Sequence, residues 1–207
     1  MARKFLWAFG GLAAFAAVAL AGIYLYAVRD HDPENPYSKP YGFLMTHSVT
    51  IDATPMEVTE FISHEKQLLY GRLALAHEEL TFIEGDSLSE GAVFETREFQ
   101  ADEGVVNRYT VTKVEPGRHF EFVSKPSLIY GKRGEDWVQT GSCNAWSWYD
   151  IEPAGAGSRV TQTIVIEMHD FLTKFIIDMI ILGEEENEWQ DHLVEELEQL
   201  KAAIEVR

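Results

Sequence analysis

The sequence has 207 residues, of which 46% are hydrophobic and 25% are charged, an ordinary composition for one globular domain. Its net charge of −17 opposes binding to phosphate backbones, so we expect no nucleic-acid partner. The single cysteine, Cys143, excludes an internal disulfide bond.

The N-terminal segment Phe5–Val28 contains 24 residues without a charge. As a helix it would be about 36 Å long, enough to cross a hydrocarbon core of about 30 Å. The sequence therefore predicts a transmembrane anchor over residues 1–29. Basic residues before the segment and acidic residues after it predict a cytoplasmic N-terminus, with the domain on the opposite side of the membrane. The alternative is a signal peptide cleaved near Ala21, which would release a secreted domain.

Residues 30–41 (DHDPENPYSKPY) contain three prolines and no apolar period, which predicts an extended linker before a domain at 42–207. Gly42–Asp52 has the pattern of a strand. A helix should follow, because Thr54 and Glu57 have the spacing of a capping box.

A second short helix is expected at 65–79, and the chain then becomes strand-like. The predicted strands are Leu80–Glu84, Ala92–Phe99, Val105–Val114, His119–Ser124, Ser142–Glu152 and Arg159–His169. Between the predicted strands His119–Ser124 and Ser142–Glu152, Lys125–Gly141 is expected to be a long loop.

Two helices are predicted at the C-terminal end. Nine of the twelve residues in Phe171–Leu182 are apolar, which favours a helix buried on two sides; the alternative is a lid that touches a membrane. A longer helix over Glu184–Glu205 has one apolar stripe and is long enough to cross a whole sheet. The stripe consists of Trp189, Leu193, Leu197, Leu200 and Ile204.

A four-residue loop at Ala154–Gly157 predicts a hairpin in which Ile151 faces Val160. Alternation then gives one mainly apolar face, assigned to the interior, and places Trp146 and Trp148 on the other. The interior face contains small residues (Cys143, Ala145 and Ser147), which indicates either a closely packed helix or a hollow. A one-residue slip would instead bury the tryptophans.

The order of four segments resembles the START-like superfamily, especially its polyketide cyclase/dehydrase and lipid-transport group, SRPBCC. The segments are VTIDATPMEVTEFIS, YTVTKVEPGRHFEF, WYDIEPAGAGSRVTQT and EWQDHLVEELEQLKAAIE. The resemblance implies an α+β helix-grip fold (START-like, Bet v 1-like), in which a curved antiparallel sheet wraps around a long C-terminal helix. Thr59 departs from this pattern, since many relatives have an aromatic residue there, and the anchor is an addition.

The expected function is membrane-tethered binding or transport of a hydrophobic small molecule or lipid in an internal cavity. The predicted lining residues are Phe120, Phe122, Cys143, Ala145, Ser147, Tyr149, Ile151, Ile164, Ile166, Met168, Trp189 and Leu193. No cofactor is expected, and none of the seven histidines has a zinc-site spacing, so no metal ligand is predicted.

Two alternative functions remain, and the sequence leaves open whether the protein is an enzyme. A cyclase or dehydratase-like enzyme would need polar groups inside the cavity. The candidates are His47, Glu95, Arg97, Arg108, His119 and Glu121, unless they are solvent-facing strand residues or ion pairs. A protein-interaction module would use Trp146 and Trp148 as exposed contacts.

Overall fold

The computed structural model describes residues 16–29, 31–35, 37–184 and 188–207, and its centre is a curved antiparallel sheet. The strands are β1 (Gly42–Ile51), β2 (His77–Glu84), β3 (Val93–Gln100), β4 (Glu103–Glu115), β5 (His119–Arg133), β6 (Asp136–Ala154) and β7 (Gly157–Glu167). Their order in the sheet is β1-β7-β6-β5-β4-β3-β2. Strands β2 to β7 therefore pair in the order of the sequence, and β1 pairs with β7.

The helices are α1 (16–27), α2 (Pro55–His64), α3 (Lys66–Leu73), α4 (Phe171–Glu184) and α5 (Glu188–Glu205). The capping box predicted for α2 is confirmed. The Glu57 amide donates to the Thr54 hydroxyl at 3.3 Å, and the Thr54 amide donates to the Glu57 carboxylate at 2.7 Å. These bonds satisfy donors that the first turn leaves unpaired.

The predicted register of the β6–β7 hairpin is confirmed, with Ile151 facing Val160 and Trp148 facing Thr163. The loop is shorter than expected, because Ala154 still pairs with Gly157. Only two residues connect the strands, and the first, Gly155, has a φ of +65°, which glycine adopts without a steric cost.

The C-terminal helix α5 packs on the inner face of the sheet, as the amphipathic stripe predicts. Leu193, Leu197 and Leu200 are completely buried, and Ile204 is 6% exposed. Leu197, Leu200 and Ile204 join a core that includes Tyr149 of β6. Burial of each such side chain stabilises the fold by about 1.5–3 kcal/mol.

The predicted second helix is present but ends earlier than expected, and the predicted loop at 125–141 is wrong. The second helix ends at Leu73, and the residues after it enter β2, because His77 pairs with Glu98 of β3. Lys125–Gly141 is not a loop but the outer half of the β5–β6 hairpin. Ser127 and Ile129 continue its cross-strand pairing, and Gly134 allows a tight turn with a φ of +68°.

The tryptophans of β6 face away from α5, as the register predicts, but they are not an exposed contact surface. Trp148 is only 6% exposed, because the ring of Tyr37 packs on it with centroids 4.4 Å apart. Trp146 is partly buried between the ammonium groups of Lys39 and Lys125, at 4.9 and 4.5 Å from its ring centroid. The predicted linker therefore folds back over the sheet, which corrects the hypothesis of an exposed tryptophan pair.

The N-terminal helix α1 packs against α4. Tyr24 contacts Phe171 edge-to-face at 5.8 Å, and Tyr26 contacts Phe175 at 5.5 Å. Within the described ranges, no helix is long and apolar enough to cross a membrane. Residues 1–15 of the predicted anchor lie outside the described residues.

Helix α4 is less buried than its apolar composition predicts. Leu172, Ile176 and Met179 are each 44% or more exposed, so the expectation of burial on two sides is wrong. The physical reason is that α4 lies beside α1 and the edge strand β1, and none of its described side chains belongs to the buried core cluster. Its Lys174 ammonium lies 4.0 Å from the ring centroid of Phe43 on β1.

Candidate functional site

The predicted lining residues lie on the inner face of β5, β6 and β7 or on α5. Pairing places Phe120 beside Tyr149, Phe122 beside Ser147, and Ala145 beside Ile166. Cys143, Ile151, Met168 and Leu193 are also buried, whereas Ile164 and Ile166 are partly buried. Trp189 differs, since it is 36% exposed and packs edge-to-face on Phe43. Their role in ligand binding stays a prediction.

Small side chains form a row along the inner face of β5 and β6. Ser124, Ser127, Cys143, Ala145 and Ser147 are each no more than 4% exposed. Burial raises the pKa of the Cys143 thiol to about 11, so this side chain is neutral and poorly suited to act as a nucleophile.

Four polar side-chain atoms on this inner face are buried without a hydrogen-bond partner among the described residues. They are His47 Nε2, the hydroxyl oxygens of Ser127 and Ser147, and the side-chain carbonyl oxygen of Gln162, and Ser147 and Gln162 lie on neighbouring strands. An unpaired buried polar group costs about 1–3 kcal/mol, so such atoms require a hydrogen-bonding group from outside the chain, either a water molecule or a polar group of a ligand.

A buried ion pair lies between this inner face, α3 and α5. The Lys66 ammonium donates to Glu196 and to the Tyr149 hydroxyl, both at 2.5 Å. The Tyr149 hydroxyl donates to Glu196 at 2.9 Å, and the Gln162 amide donates to the other carboxylate oxygen at 3.2 Å. Both carboxylate oxygens of Glu196 therefore accept hydrogen bonds inside the core.

Charge and burial fix the protonation of this network. Burial by itself would raise the pKa of Glu196, but the Lys66 ammonium and two nearby histidines hold it well below its usual value. Burial and the Glu196 charge raise the pKa of Tyr149 well above its usual value. Tyr149 consequently remains a donor to an ionised carboxylate.

A second polar cluster lies where α3, β2, β3 and α5 meet. The Tyr70 hydroxyl donates to Glu98 at 2.6 Å, and the His77 and His192 ring nitrogens Nε2 are 3.1 Å apart. Burial lowers the pKa of His77, which favours its neutral form. The His77 and Tyr70 rings stack in parallel with centroids 4.0 Å apart.

The acid–base candidates from the sequence do not gather beneath α5. Glu95 and Arg108 form a cross-strand ion pair at 3.3 Å, and His119 bonds Asp150 at 2.7 Å. Strand alternation puts these residues, with Arg97 and Glu121, on the face opposite α5.

Only His47 among the six candidates faces the helix, 4.0 Å from Glu198. The alternative of surface strand residues and ion pairs is confirmed for Glu95, Arg108 and His119.

The outer face also carries a recess of about 620 Å³. Val106, Arg108, Lys125 and Leu128 are among its lining residues, and strand alternation places them opposite the buried aromatic residues. The recess is thus separate from the predicted cavity beneath α5.

The polar residues of the interior were not predicted, although the apolar stripe of α5 and the alternation of β3 include several of them. His192 and Glu196 each directly precede a leucine of the buried stripe of α5, so they lie at its edge. Glu98 alternates with Thr96 and Phe94, which face inward on β3. A charged residue inside an apolar stripe is the signal that marks such a site.

A bent antiparallel sheet closed by a terminal helix defines a helix-grip protein, and similar solved structures show the same fold. The KanY protein is 18% identical, with a TM-score of 0.52, covering 79% of this chain and 97% of that chain. A conserved protein from Geobacillus kaustophilus is 14% identical, also with a TM-score of 0.52, covering 78% and 95%.

The model of the family described as "Polyketide cyclase / dehydrase and lipid transport" matches residues 43–205. The chain therefore belongs to this family, within the SRPBCC superfamily. A comparison with curated proteins found no significant match.

Proposed function

We propose that the domain binds or transports a hydrophobic small molecule or lipid between the inner face of the sheet and α5. The observation that carries this proposal is the pair of unpartnered buried atoms, on Ser147 and Gln162, within a row of small side chains. Hydroxyl or amide groups of a ligand would satisfy these atoms, while its apolar part packs beside them. The family description, which includes lipid transport, supports the same ligand class.

Aromatic residues supply the apolar contact. Phe94, Tyr109 and Phe122 form a connected group on the inner face, with ring centroids 5.3–5.5 Å apart. A ligand that buries about 300 Å² of apolar surface would gain about 7 kcal/mol before the costs of association. We place the entrance near the start of α5, beside Trp189, which is 36% exposed, and the partly buried Ile164.

Native mass spectrometry and solvent extraction of the purified full chain test this proposal. We expect a bound lipid or hydrophobic compound, and saturable binding of a hydrophobic fluorophore. Ser147→Leu should reduce binding at least tenfold, because it fills the row of small side chains and removes the unpaired hydroxyl. Ser48→Leu is the matched control, since Ser48 is an exposed strand residue bonded to Thr161. Absence of a ligand, or unchanged binding by Ser147→Leu, would contradict the proposal.

We also propose that the N-terminal segment holds the domain at a membrane, with the N-terminus in the cytoplasm. The charge-free run Phe5–Val28 supports this proposal, as do the apolar side chains that α1 and α4 expose. On α1 these are Val18, Leu20 and Leu25, and on α4 they are Leu172, Ile176 and Met179.

Fractionation of cells that express the full chain tests the tether. We expect the protein in the membrane pellet after carbonate extraction, and release when residues 1–29 are deleted. Protease added outside should digest the domain and spare the N-terminus. A mature chain that begins near Ala21 and is found in the soluble fraction would establish the cleaved signal peptide instead.

A cyclase or dehydratase-like enzyme is the second candidate, favoured by the buried contact between Lys66 and the Tyr149 hydroxyl. An ammonium beside a phenol is an acid–base arrangement that can act on a bound carbonyl. Tyr149→Phe would then abolish turnover of a polyketide substrate while ligand binding persists. Equal turnover by Tyr149→Phe and the unaltered protein would exclude this role.

A further inference from the structure

Three side chains with metal-binding chemistry converge from separate elements: His77 at the start of β2, Glu98 on β3 and His192 on α5. We propose that they bind one divalent transition-metal ion of the zinc type, through two imidazoles and one carboxylate. One ligand atom of each residue lies within 4.8 Å of the others. This proposal revises the expectation from sequence and does not depend on the proposed ligand binding.

The two imidazoles bring their Nε2 atoms together, and His77 has the orientation of a metal ligand. Their Nε2 atoms are 3.1 Å apart, close to the roughly 3.4 Å between two ligands that lie about 2.1 Å from a tetrahedral zinc ion. His77 Nδ1 lies 3.1 Å from the backbone carbonyl oxygen of Tyr70, which can only accept. Nδ1 therefore carries the proton, and the lone pair of Nε2 faces His192. Histidines bound to metals are fixed by the same second hydrogen bond.

The carboxylate of Glu98 is held in the same manner. Its Oε1 atom accepts from the Tyr70 hydroxyl at 2.6 Å, the Thr96 hydroxyl at 3.0 Å and the Asn107 amide at 3.4 Å. Its Oε2 atom lies 3.8 Å from His192 Nε2. Three donors on one oxygen orient the other toward the imidazoles, and a small side-chain movement would complete the coordination.

The donor set favours a zinc-type ion over calcium or magnesium. Imidazole nitrogen suits zinc and its transition-metal neighbours, whereas calcium and magnesium take oxygen ligands. Three protein ligands leave the fourth position of a tetrahedral ion open. Solvent can reach the site, since the side chains of His192 and Glu98 are 21% and 18% exposed. The competing arrangement is a metal-free ion pair between these two residues.

Calorimetric titration of the full chain with Zn²⁺, after removal of metal by a chelator, tests the proposal. We expect one ion bound per chain and a rise in Tm with Zn²⁺ concentration, because an ion that binds only the folded state stabilises it. Cobalt(II) bound in place of zinc should give the visible absorption bands of a four-coordinate site. These readouts require no enzymatic activity.

The variants His192→Gln and Glu98→Gln should each weaken Zn²⁺ binding at least tenfold and lose the cobalt bands. His169→Gln is the matched control and should leave binding unchanged, because His169 is exposed and bonds Ser142 instead. Thermal unfolding in chelator establishes whether each variant is folded. Failure of the unaltered chain to bind stoichiometric Zn²⁺ or Co²⁺ would overturn the proposal, as would equal affinity in a folded His192→Gln variant.

Discussion

The ammonium of Lys66 on α3 lies 2.5 Å from the carboxylate of Glu196 on α5, and both side chains are only 6% exposed. The two residues are 130 positions apart in the chain. The pair joins the short helix at the sheet's edge to the helix that covers the sheet. Each charge has left water, so each depends on the other for compensation.

Lys66→Met should lower the free energy of unfolding by about 3–5 kcal/mol, because it leaves Glu196 buried without its counter-charge. The double variant Lys66→Met with Glu196→Leu should recover much of this loss, since it removes both desolvated charges. Urea unfolding measures each value. Lys113→Met is the control and should have a much smaller effect, because Lys113 pairs with Glu115 at the surface. A Lys66→Met effect as small as the control's would show that the pair is not buried in solution.

Stability at acidic pH should depend on Glu196. Lys66 holds the pKa of Glu196 below its unfolded value of about 4.3, against the effect of burial. The contribution of Glu196 is therefore present above pH 4 or so and is lost as the pH falls toward its folded pKa. Urea unfolding from pH 6 to pH 3 should show a shallower decline for Glu196→Gln than for the unaltered chain. Parallel declines would disprove the pKa shift.

The thiol of Cys143 should react slowly with maleimide at pH 8 in the folded protein and rapidly after unfolding. Burial raises the pKa of Cys143 from 9.0 to about 11, so little thiolate forms. The pKa of Cys143 is higher in the folded state than in the unfolded state. Its contribution to the free energy of unfolding is therefore fully present below pH 9 and declines as the pH rises toward 11. Mass spectrometry of the labelled protein measures the rate; equal rates in the folded and unfolded states would contradict this assignment.

Gly157→Ala should destabilise the fold by about 2–3 kcal/mol. A Cβ atom at this position would overlap the backbone carbonyl oxygen of Ile51 on β1, which cannot move without loss of pairing to β7. Gly141→Ala is the matched control on the same sheet, since its Cβ would make only ordinary contacts with Ile129 at 3.9 Å. The difference in denaturant midpoint between the two variants is the measurement. An equal midpoint for both would mean that β1 is not held against Gly157.

Local patterns predicted much of the fold, because each acts over a few residues. The Thr54 cap and the pairing of Ile151 with Val160 depend only on neighbouring side chains and a short turn. The strands through 125–141 were missed because Pro126 and several glycines resemble a loop. Long strands accommodate them through register shifts, such as the one between Ser124 and Ser127.

Such patterns can mark single polar residues but not their grouping into sites, because the residues meet only after α5 packs on the sheet. His77 and His192 are 115 residues apart, so no spacing rule connects them. Trp148 illustrates the same limit, since its outward direction followed from alternation but its burial depends on Tyr37, which is far away in the chain.

The packing of the Tyr37 ring on Trp148 bears on how fragments of this protein should be designed. A fragment that starts at residue 42 lacks Tyr37 and would expose Trp148, which is 6% exposed in the full chain. The exposed indole would favour self-association. Retaining residues 37–41 avoids this hazard. The contact also gives an optical signal, because the share of Trp148 in the emission of the five tryptophans should shift to longer wavelength when the covering segment detaches.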